Sequence, residues 1–385
     1  MPSSRPVIAS SSSGASPGGP REPPRYAELH VTSNFSFLQG ASHPEELVRT
    51  AHALGYAGIA ITDHATLAGI VRAHGAAKEV GIPLMVGATL TTIDGEALVV
   101  WAENRAGYTN LCRLLSIGYG GIPAERGHEQ REGTAAASAM AEDEDDRGPV
   151  SCRLSRASVA AHAAGLRAGV PLAAVDGDWR RLAAWREVFG ERVCGLAEVA
   201  LEGDDAVRLD RFARACRRAR VEVVAAGDVR CHIRARLPLL DALTAVRHGG
   251  TIEEVRARLL TNGERHLHKQ SSLQDRFASL PGAVERSVEW AAACTFSLDE
   301  LRYEYPDAVV PAGETAAGYL AETVWRGAAK RYPDGVPEKV RGLLEHELAL
   351  VTELGYEAYF LTVFDIVRFA RRRGILCQGL SLIHI

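Results

Sequence analysis

Short apolar segments alternate with amphipathic ones over the first 240 residues. The apolar segments have the length of buried strands and lie at 27–31, 58–62, 82–87, 97–102, 171–175 and 221–226. Hydrophobic residues recur at helical spacing over 45–54, 65–80, 107–117 and 205–220. The alternation predicts an α/β fold with parallel strands. In such folds, polar residues at the carboxyl ends of strands commonly form the site, and His30 and His64 hold that position.

The pattern changes along the chain and indicates several regions. Residues 1–25 are rich in Ser, Gly and Pro, which predicts a disordered tail. Residues 122–150 contain few large apolar side chains and end in an acidic run, which predicts a low-complexity surface insertion. Beyond about residue 240 the pattern becomes mainly helical, with helices predicted at 337–354 and 360–373. We therefore expect an α/β domain at 26–240 and a helical region at 241–379.

Composition and charge limit the classes of function. The chain has 385 residues, is 46% hydrophobic and carries a formal charge of -4, so nucleic-acid contacts would need local basic patches. Arg211, Arg214 and Arg218 form such a stripe on one helix, although a merely solvated face is the favoured interpretation. The seven cysteines are scattered and predict reduced thiols in a cytoplasmic protein. The chain contains no apolar stretch of membrane-spanning length.

Three segments carry a resemblance to a known family. YAELHVTSNFSFLQGASHPEELV at 26–48 and GYAGIAITDH at 55–64 resemble the opening of the PHP (polymerase and histidinol phosphatase) domain in bacterial replicative polymerase alpha subunits. Within them, Glu-Leu-His and Ser-Asn-Phe-Ser-Phe match the error-prone branch of this family better than the replicative branch. GYEAYFLTVFDIVRFARRRGILCQG at 355–379 looks like the start of the C-family polymerase palm, and 227–249 resembles the end of a PHP domain.

This resemblance implies a PHP-type distorted (β/α)7 barrel followed by the mainly helical start of a C-family palm. It implies an error-prone DNA-directed DNA polymerase for damage-induced mutagenesis and translesion synthesis. Mg²⁺, primer-template DNA and deoxynucleoside triphosphates would be its cofactor and substrates. A sliding clamp and error-prone accessory proteins would be its partners, with no membrane association.

The resemblance stops abruptly near the end of the chain. Gln378 and Gly379 match the start of the nucleotide phosphate loop, and residues 380–385 no longer match. We therefore expect 380–385 to be a non-native end. The family's catalytic aspartates lie further on, so we expect this 385-residue fragment to be inactive by itself.

Active PHP domains bind a metal cluster, and the family motif implies only part of that ligand set here. His30, His64 and Asp228 remain at ligand positions. At the other ligand positions of the motif, the chain has residues that bind metals weakly or not at all: Thr32, Gln39, Thr89, Ala97 and Arg230. Arg230 would oppose a cation, or pair with Asp228 in its place. We therefore predict a degenerate site, with weak binding of one residual metal as the less favoured alternative.

Two other functional interpretations stay open. The chain could be a stand-alone PHP metal-dependent phosphoesterase, or a non-catalytic scaffold. His266 and His268 alternate like metal ligands, but a solvated basic loop is the favoured interpretation.

Overall fold

The computed structural model describes residues 26–120, 152–175, 177–301, 310–311 and 313–377. The chain divides into two compact units, Met1–Glu300 and Leu301–Ile385. The predicted tail at 1–25, the predicted insertion at 122–150, the end at 380–385, and the site residues Gln378 and Gly379 lie outside the described residues.

Seven strands form one sheet in the first unit, and they follow the chain in order from β1 to β7. Their bounds are β1 Ala27–Glu28, β2 Gly58–Ile61, β3 Leu84–Thr91, β4 Ala97–Ala102, β5 Leu166–Pro171, β6 Val193–Glu198 and β7 Glu222–Ala226. A parallel bridge between Val31 and Val229 joins the segments that follow β1 and β7. The sheet is therefore a nearly closed barrel, and the predicted PHP-type fold is confirmed.

Helices cover the outside of the barrel, and further helices follow its last strand in the chain. Those of the first unit are α1 Pro44–Ala53, α2 Ile70–Val80, α3 Arg105–Gly120, α4 Arg156–Ala161, α5 Leu172–Val175, α6 Trp179–Phe189, α7 Asp205–Ala219, α8 Leu237–Arg247, α9 Gln270–Arg276 and α10 Ala283–Ala292. Short 3-10 turns lie at Gly190–Arg192, Arg234–Arg236, Arg256–Arg258 and Leu298–Glu300.

Two predictions of the sequence-based secondary structure are wrong, and strand β6 was not predicted. Strand β4 runs antiparallel to both β3 and β5, whereas strand–helix alternation predicted parallel strands. The apolar segment at 171–175 is helix α5, and strand β5 precedes it. Strand β5 includes Arg167, whose side chain pairs with Glu103, so its sequence is not a continuous apolar run.

The amino end of the barrel is closed by helix α10. Ser287 accepts a 3.0 Å hydrogen bond from the backbone N–H of Ala27, at the start of β1. Trp290 packs edge-on against Trp101 with ring centroids 6.1 Å apart. These tryptophans belong to an apolar cluster to which six of the strands, or the residue directly after them, contribute. Its strand-side members are Ala27, Leu29, Ala60, Met85, Val99, Trp101, Cys194, Leu196, Val224 and Ala226.

The contacts of α10 place the end of the first unit later than the predicted domain boundary at 240. Arg286 on this helix also donates to the carbonyl oxygen of Val223 at the start of β7, over 2.6 Å. Residues up to Glu300 thus belong to the compact unit that contains the barrel. Where one family domain ends and the next begins stays a prediction.

The second unit is helical, as predicted. Its helices are α11 Ala316–Arg331, α12 Glu338–Leu354 and α13 Glu357–Arg372, and Leu320, Val351 and Leu361 form its buried centre. Among the described residues of the whole chain, no helix is both long enough and apolar enough to cross a membrane.

Candidate functional site at the carboxyl end of the barrel

His30 lies just after β1, and its buried ring contacts two carboxylates. Its Nδ1 atom lies 2.7 Å from Glu198 Oε1, at the end of β6. Its Nε2 atom lies 3.9 Å from Asp228 Oδ1 and 3.4 Å from Thr89 Oγ1. Burial alone would lower the pKa of His30, but the charges of Asp228 and Glu198 outweigh it and raise the pKa. The surroundings therefore favour the protonated ring. In that form both nitrogens carry hydrogen, and neither has a lone pair with which to bind a metal.

Asp228 lies just after β7, and two arginines bind its carboxylate. Arg230 Nε donates a 2.9 Å hydrogen bond to Oδ1, while Arg265 donates to Oδ2. Burial would raise the pKa of Asp228, but Arg230, His30 and Arg265 together hold it well below its usual value. The pair between Arg230 and Asp228 that the sequence suggested is thus present. Both carboxylate oxygens are already occupied by guanidinium groups.

His64 follows β2 and forms a parallel bridge with Thr89. Its backbone N–H donates to Ser36 Oγ over 2.9 Å, while its buried Nε2 has no hydrogen-bond partner among the described residues. Burial, with the positive charges of Arg230 and His30, lowers the pKa of His64 to about 3. His64 is therefore a neutral ring at neutral pH. The buried Thr32 Oγ1 likewise lacks a partner in the described part of the protein.

Asp63, next to His64, has a structural environment. Its carboxylate accepts hydrogen bonds from Ser33 N and Ser33 Oγ at 2.8 and 2.7 Å, and from Ser36 Oγ at 2.7 Å. These bonds hold the loop after β1 against the loop after β2. The fully paired carboxylate has little capacity left for a metal.

The three candidate ligands lie in one neighbourhood, but they do not fit the metal cluster of an active PHP domain. Arg230 and Arg265 engage both carboxylate oxygens of Asp228, and Glu198 engages the Nδ1 atom of His30. Thr89, at a carboxylate position of the motif, donates its hydroxyl to the carbonyl oxygen of Thr62 over 2.9 Å. Within the described ranges, no group of three or more His, Cys, Asp or Glu residues is arranged to hold a metal ion.

Sequence reasoning missed three members of this cluster. Glu198 is 168 residues from His30, and Arg265 is 37 residues from Asp228, so neither pairing is visible from spacing. Glu28 accepts bonds from the Tyr26 hydroxyl and from the N–H groups of His30 and Gly227. Its burial raises its pKa to about 7. For Glu28, the only available signal was an acid two residues before His30, on a strand whose other residue, Ala27, is apolar.

His266 and His268 do not form a solvated loop, so that prediction is wrong. Their rings are 4.0 Å apart, and each donates a 2.8 Å hydrogen bond, to the carbonyl oxygens of Gly263 and Glu264 respectively. The backbone of His268 also exchanges bonds with the Tyr56 hydroxyl. Both rings therefore serve to fix the chain segment that carries Arg265.

Comparisons with known proteins agree with the architecture. The PHP domain family matches residues 28–197, and the bacterial DNA polymerase III alpha NTPase domain matches residues 318–380. A protein named error-prone DNA polymerase from Rhodopirellula baltica is 39% identical over 369 residues, which is 92% of this chain. Proteins of the same name from Dechloromonas aromatica and Alkalilimnicola ehrlichii are 42% and 43% identical over the same share of this chain.

The chain contains a PHP domain and a segment of a polymerase III alpha domain, and it is similar to error-prone DNA polymerases along nearly all of its length. It spans 30% of the R. baltica relative and 32% of the other two, which is about a third of their length. Among solved structures, a putative metal-dependent phosphoesterase from Bifidobacterium adolescentis aligns with 54% of this chain and 88% of its own, at 20% identity and a TM-score of 0.34. A similarity at that level carries no argument about the site.

Proposed function

We propose that this chain is the N-terminal part of an error-prone DNA-directed DNA polymerase, a nucleotidyltransferase. The observation that carries the proposal is the identity of 39–43% to proteins of that name across 92% of this chain. The match covers both units, because the polymerase III alpha domain lies at 318–380, beyond the PHP domain.

The complete enzyme would extend a primer on a DNA template with deoxynucleoside triphosphates and Mg²⁺. Its role would be damage-induced mutagenesis and translesion synthesis in the cytoplasm, with a sliding clamp and error-prone accessory proteins as partners. The family name supports the reaction class. The cofactor, the partners and the cellular role are part of the proposal.

Within that enzyme, the barrel would serve as a structural domain with no phosphoesterase activity. What supports this is the ion-pair arrangement, in which Arg230 and Arg265 bind both oxygens of Asp228 and Glu198 binds His30. Metal-assisted hydrolysis needs carboxylates such as Asp228 to be free for cations. The stand-alone phosphoesterase is therefore the alternative that the tests must exclude.

A chimera tests the polymerase proposal. Residues 26–377 of this chain would replace the matching segment of the D. aromatica polymerase, and primer extension would be measured on intact and abasic templates. The matched control carries the R. baltica segment in the same place. We expect both chimeras to extend the primer. If only the control extends it, while both proteins fold equally well by circular dichroism, the proposal is wrong.

Two assays on the 385-residue chain address its own activity. We expect no incorporation of labelled nucleotide, because the relatives' remaining two thirds are not part of it. We also expect Thr32→His to produce no hydrolysis of p-nitrophenyl phosphate with Mn²⁺ or Zn²⁺, because Gln39, Thr89 and Arg230 remain. A clear gain in hydrolysis would favour the phosphoesterase.

A further inference from the structure

A basic groove lies on the outside of the barrel, between the start of α6 and the exposed face of α7. It is a cavity of about 330 Å³ lined by Gly177, Trp179, Val207, Asp210, Arg211, Arg214, Ala215 and Arg218. A smaller cavity of about 130 Å³ continues it and shares Gly177 and Arg211. The groove shares no residue with the cluster of His30, Glu198, Asp228, Arg230 and Arg265 at the barrel end.

The arginines of the groove differ in how far they are neutralised. Arg214 pairs with Asp210, one helical turn before it. Arg211 and Arg218 are exposed and have no carboxylate within 4.0 Å among the described residues. The described part of the cavity wall therefore carries two arginines without an ion pair. An exposed cation does not need a partner to be stable, but two of them side by side attract an anion.

The positions of these two side chains are fixed by their neighbours. The guanidinium of Arg218 stacks on the ring of Trp179, 4.3 Å from its centroid. The stem of Arg211 lies against Gly177, which has a φ of 77° and would not accept a Cβ atom there. Stacking leaves the in-plane N–H groups of a guanidinium free to donate, and that fork matches phosphate oxygens. Less rotamer entropy is lost on binding when the side chains are already placed.

The spacing fits a chain of phosphates better than one isolated anion. Arg211, Arg214 and Arg218 occupy one face of α7, and their separation along the axis is about 10 Å from first to last. About three consecutive phosphates occupy that length along one strand of DNA, where charges repeat every ~3.4 Å.

We propose that this groove, formed by Arg211, Arg214, Arg218 and Trp179, binds the phosphate backbone of DNA. The choice of DNA among polyanions rests on the proposed function. The contact would position the strand without reading its sequence, because phosphate contacts carry no base information.

Fluorescence anisotropy with labelled dT20 and the 385-residue chain tests the proposal at 50 mM salt. We expect the double substitution Arg211→Gln and Arg218→Gln to weaken binding at least about tenfold. It should also reduce the slope of log Kd against log salt by about 1.4, from the loss of two phosphate contacts on a single strand. The matched control is Arg105→Gln with Arg113→Gln, two exposed arginines on α3 without an ion pair in the described part, and we expect it to bind like wild type.

Three results would overturn the proposal. The first is no binding of dT20 by the wild type below 100 µM, on the order of non-specific affinities. The second is equal binding by the α7 variant and its α3 control, with loss of binding in Arg371→Gln and Arg372→Gln on α13 instead. The third is equal competition by poly-L-glutamate at matched charge, which would indicate an acidic protein as the partner.

The outcome is separable from that of the polymerase proposal. If the chimera extends primers but the α7 variant binds dT20 as tightly as wild type does, only the proposal of a DNA-binding groove is wrong. If the α7 substitutions weaken dT20 binding but the chimera does not extend primers, only the polymerase proposal is wrong. Circular dichroism melting of the α7 variant, whose changed side chains are exposed, checks that its fold is retained.

Discussion

The two ends of the barrel are closed by different physical means. At the amino end, α10 brings Trp290 against Trp101, and the contact is apolar. At the carboxyl end, Asp228 binds Arg230 and Arg265, while His30 binds Glu198. A helix supplies the closing ring at the amino end, whereas the segments after β1, β6 and β7 and the irregular segment with Arg265 supply the charges at the carboxyl end.

The two barrel ends should differ in how well they tolerate amino-acid substitutions. Apolar burial is non-directional and scales with area, so many substitutions of similar volume are acceptable. A buried ion pair contributes little net stability, yet the removal of one member leaves an uncompensated charge and is costly. The buried carboxylate of Asp228 thus needs matching positive charge, and Arg230 and Arg265 provide it.

The largest effect should come from the apolar end. Trp290→Ala removes a buried ring and leaves a cavity beside Trp101, so we expect the barrel to lose about 3–5 kcal/mol of unfolding free energy. Urea denaturation of the barrel transition measures it. Trp325→Ala, in the second unit, should leave that transition unchanged, and an equal loss in both variants would contradict the role given to α10.

Asp228→Asn should have the next largest effect, about 2–4 kcal/mol, because two partly buried arginines lose their carboxylate. Asparagine is chosen because Asp228 has a φ of 43°, a left-handed conformation that Asn tolerates. Adding Arg230→Met should recover part of the loss in a double-mutant cycle.

The surface carboxylate Asp299 provides the control for that substitution. It also contacts two basic groups, Lys78 and His74, but it is exposed. Asp299→Asn should therefore change stability very little. If Asp228→Asn were equally harmless, the ion pairs would not be what closes the carboxyl end.

A smaller, pH-dependent effect separates the charged end from the apolar one. The folded-state pKa of His64, about 3, lies below the value near 6.5 of an unfolded chain. Its contribution to stability is therefore fully present above about pH 6.5 and is lost as the pH falls toward 3, since the unfolded state binds the proton first.

The substitution His64→Gln removes this titration. Between pH 7 and pH 4, we expect wild type to lose about 1–2 kcal/mol more unfolding free energy than the variant does. Parallel loss in the two proteins over that range would show that His64 is not buried in its neutral form.

The sequence revealed the parts of this site that local pattern or motif position can specify. His30, His64 and Asp228 each follow a strand predicted from a short apolar run, and the three strands were placed close to where they lie. Glu198 was missed because its strand, β6, was not predicted at all. Arg265 was missed because the segment that carries it is irregular, and its position depends on His266 and His268 bonding to nearby carbonyls.

The fold likewise has features that the local sequence pattern predicts and features that depend on residues far apart in the chain. Helix α7 was predicted within one residue of its end, because its apolar face repeats with helical spacing. The antiparallel direction of β4 was beyond reach, since a strand's side-chain pattern does not record the direction of its neighbours. The plug formed by α10 is likewise a long-range feature, as the bond from Ala27 to Ser287 spans 260 residues.

Metal content tests the central claim most directly. The 385-residue chain would be purified without chelator and analysed by mass spectrometry for Mn, Zn and Fe, and its melting temperature compared with EDTA and with excess Mn²⁺. We expect far less than one metal ion per chain and the same melting temperature in both, because arginines occupy the Asp228 carboxylate. Two or more metal ions per chain, with a melting temperature that falls in EDTA, would contradict the account.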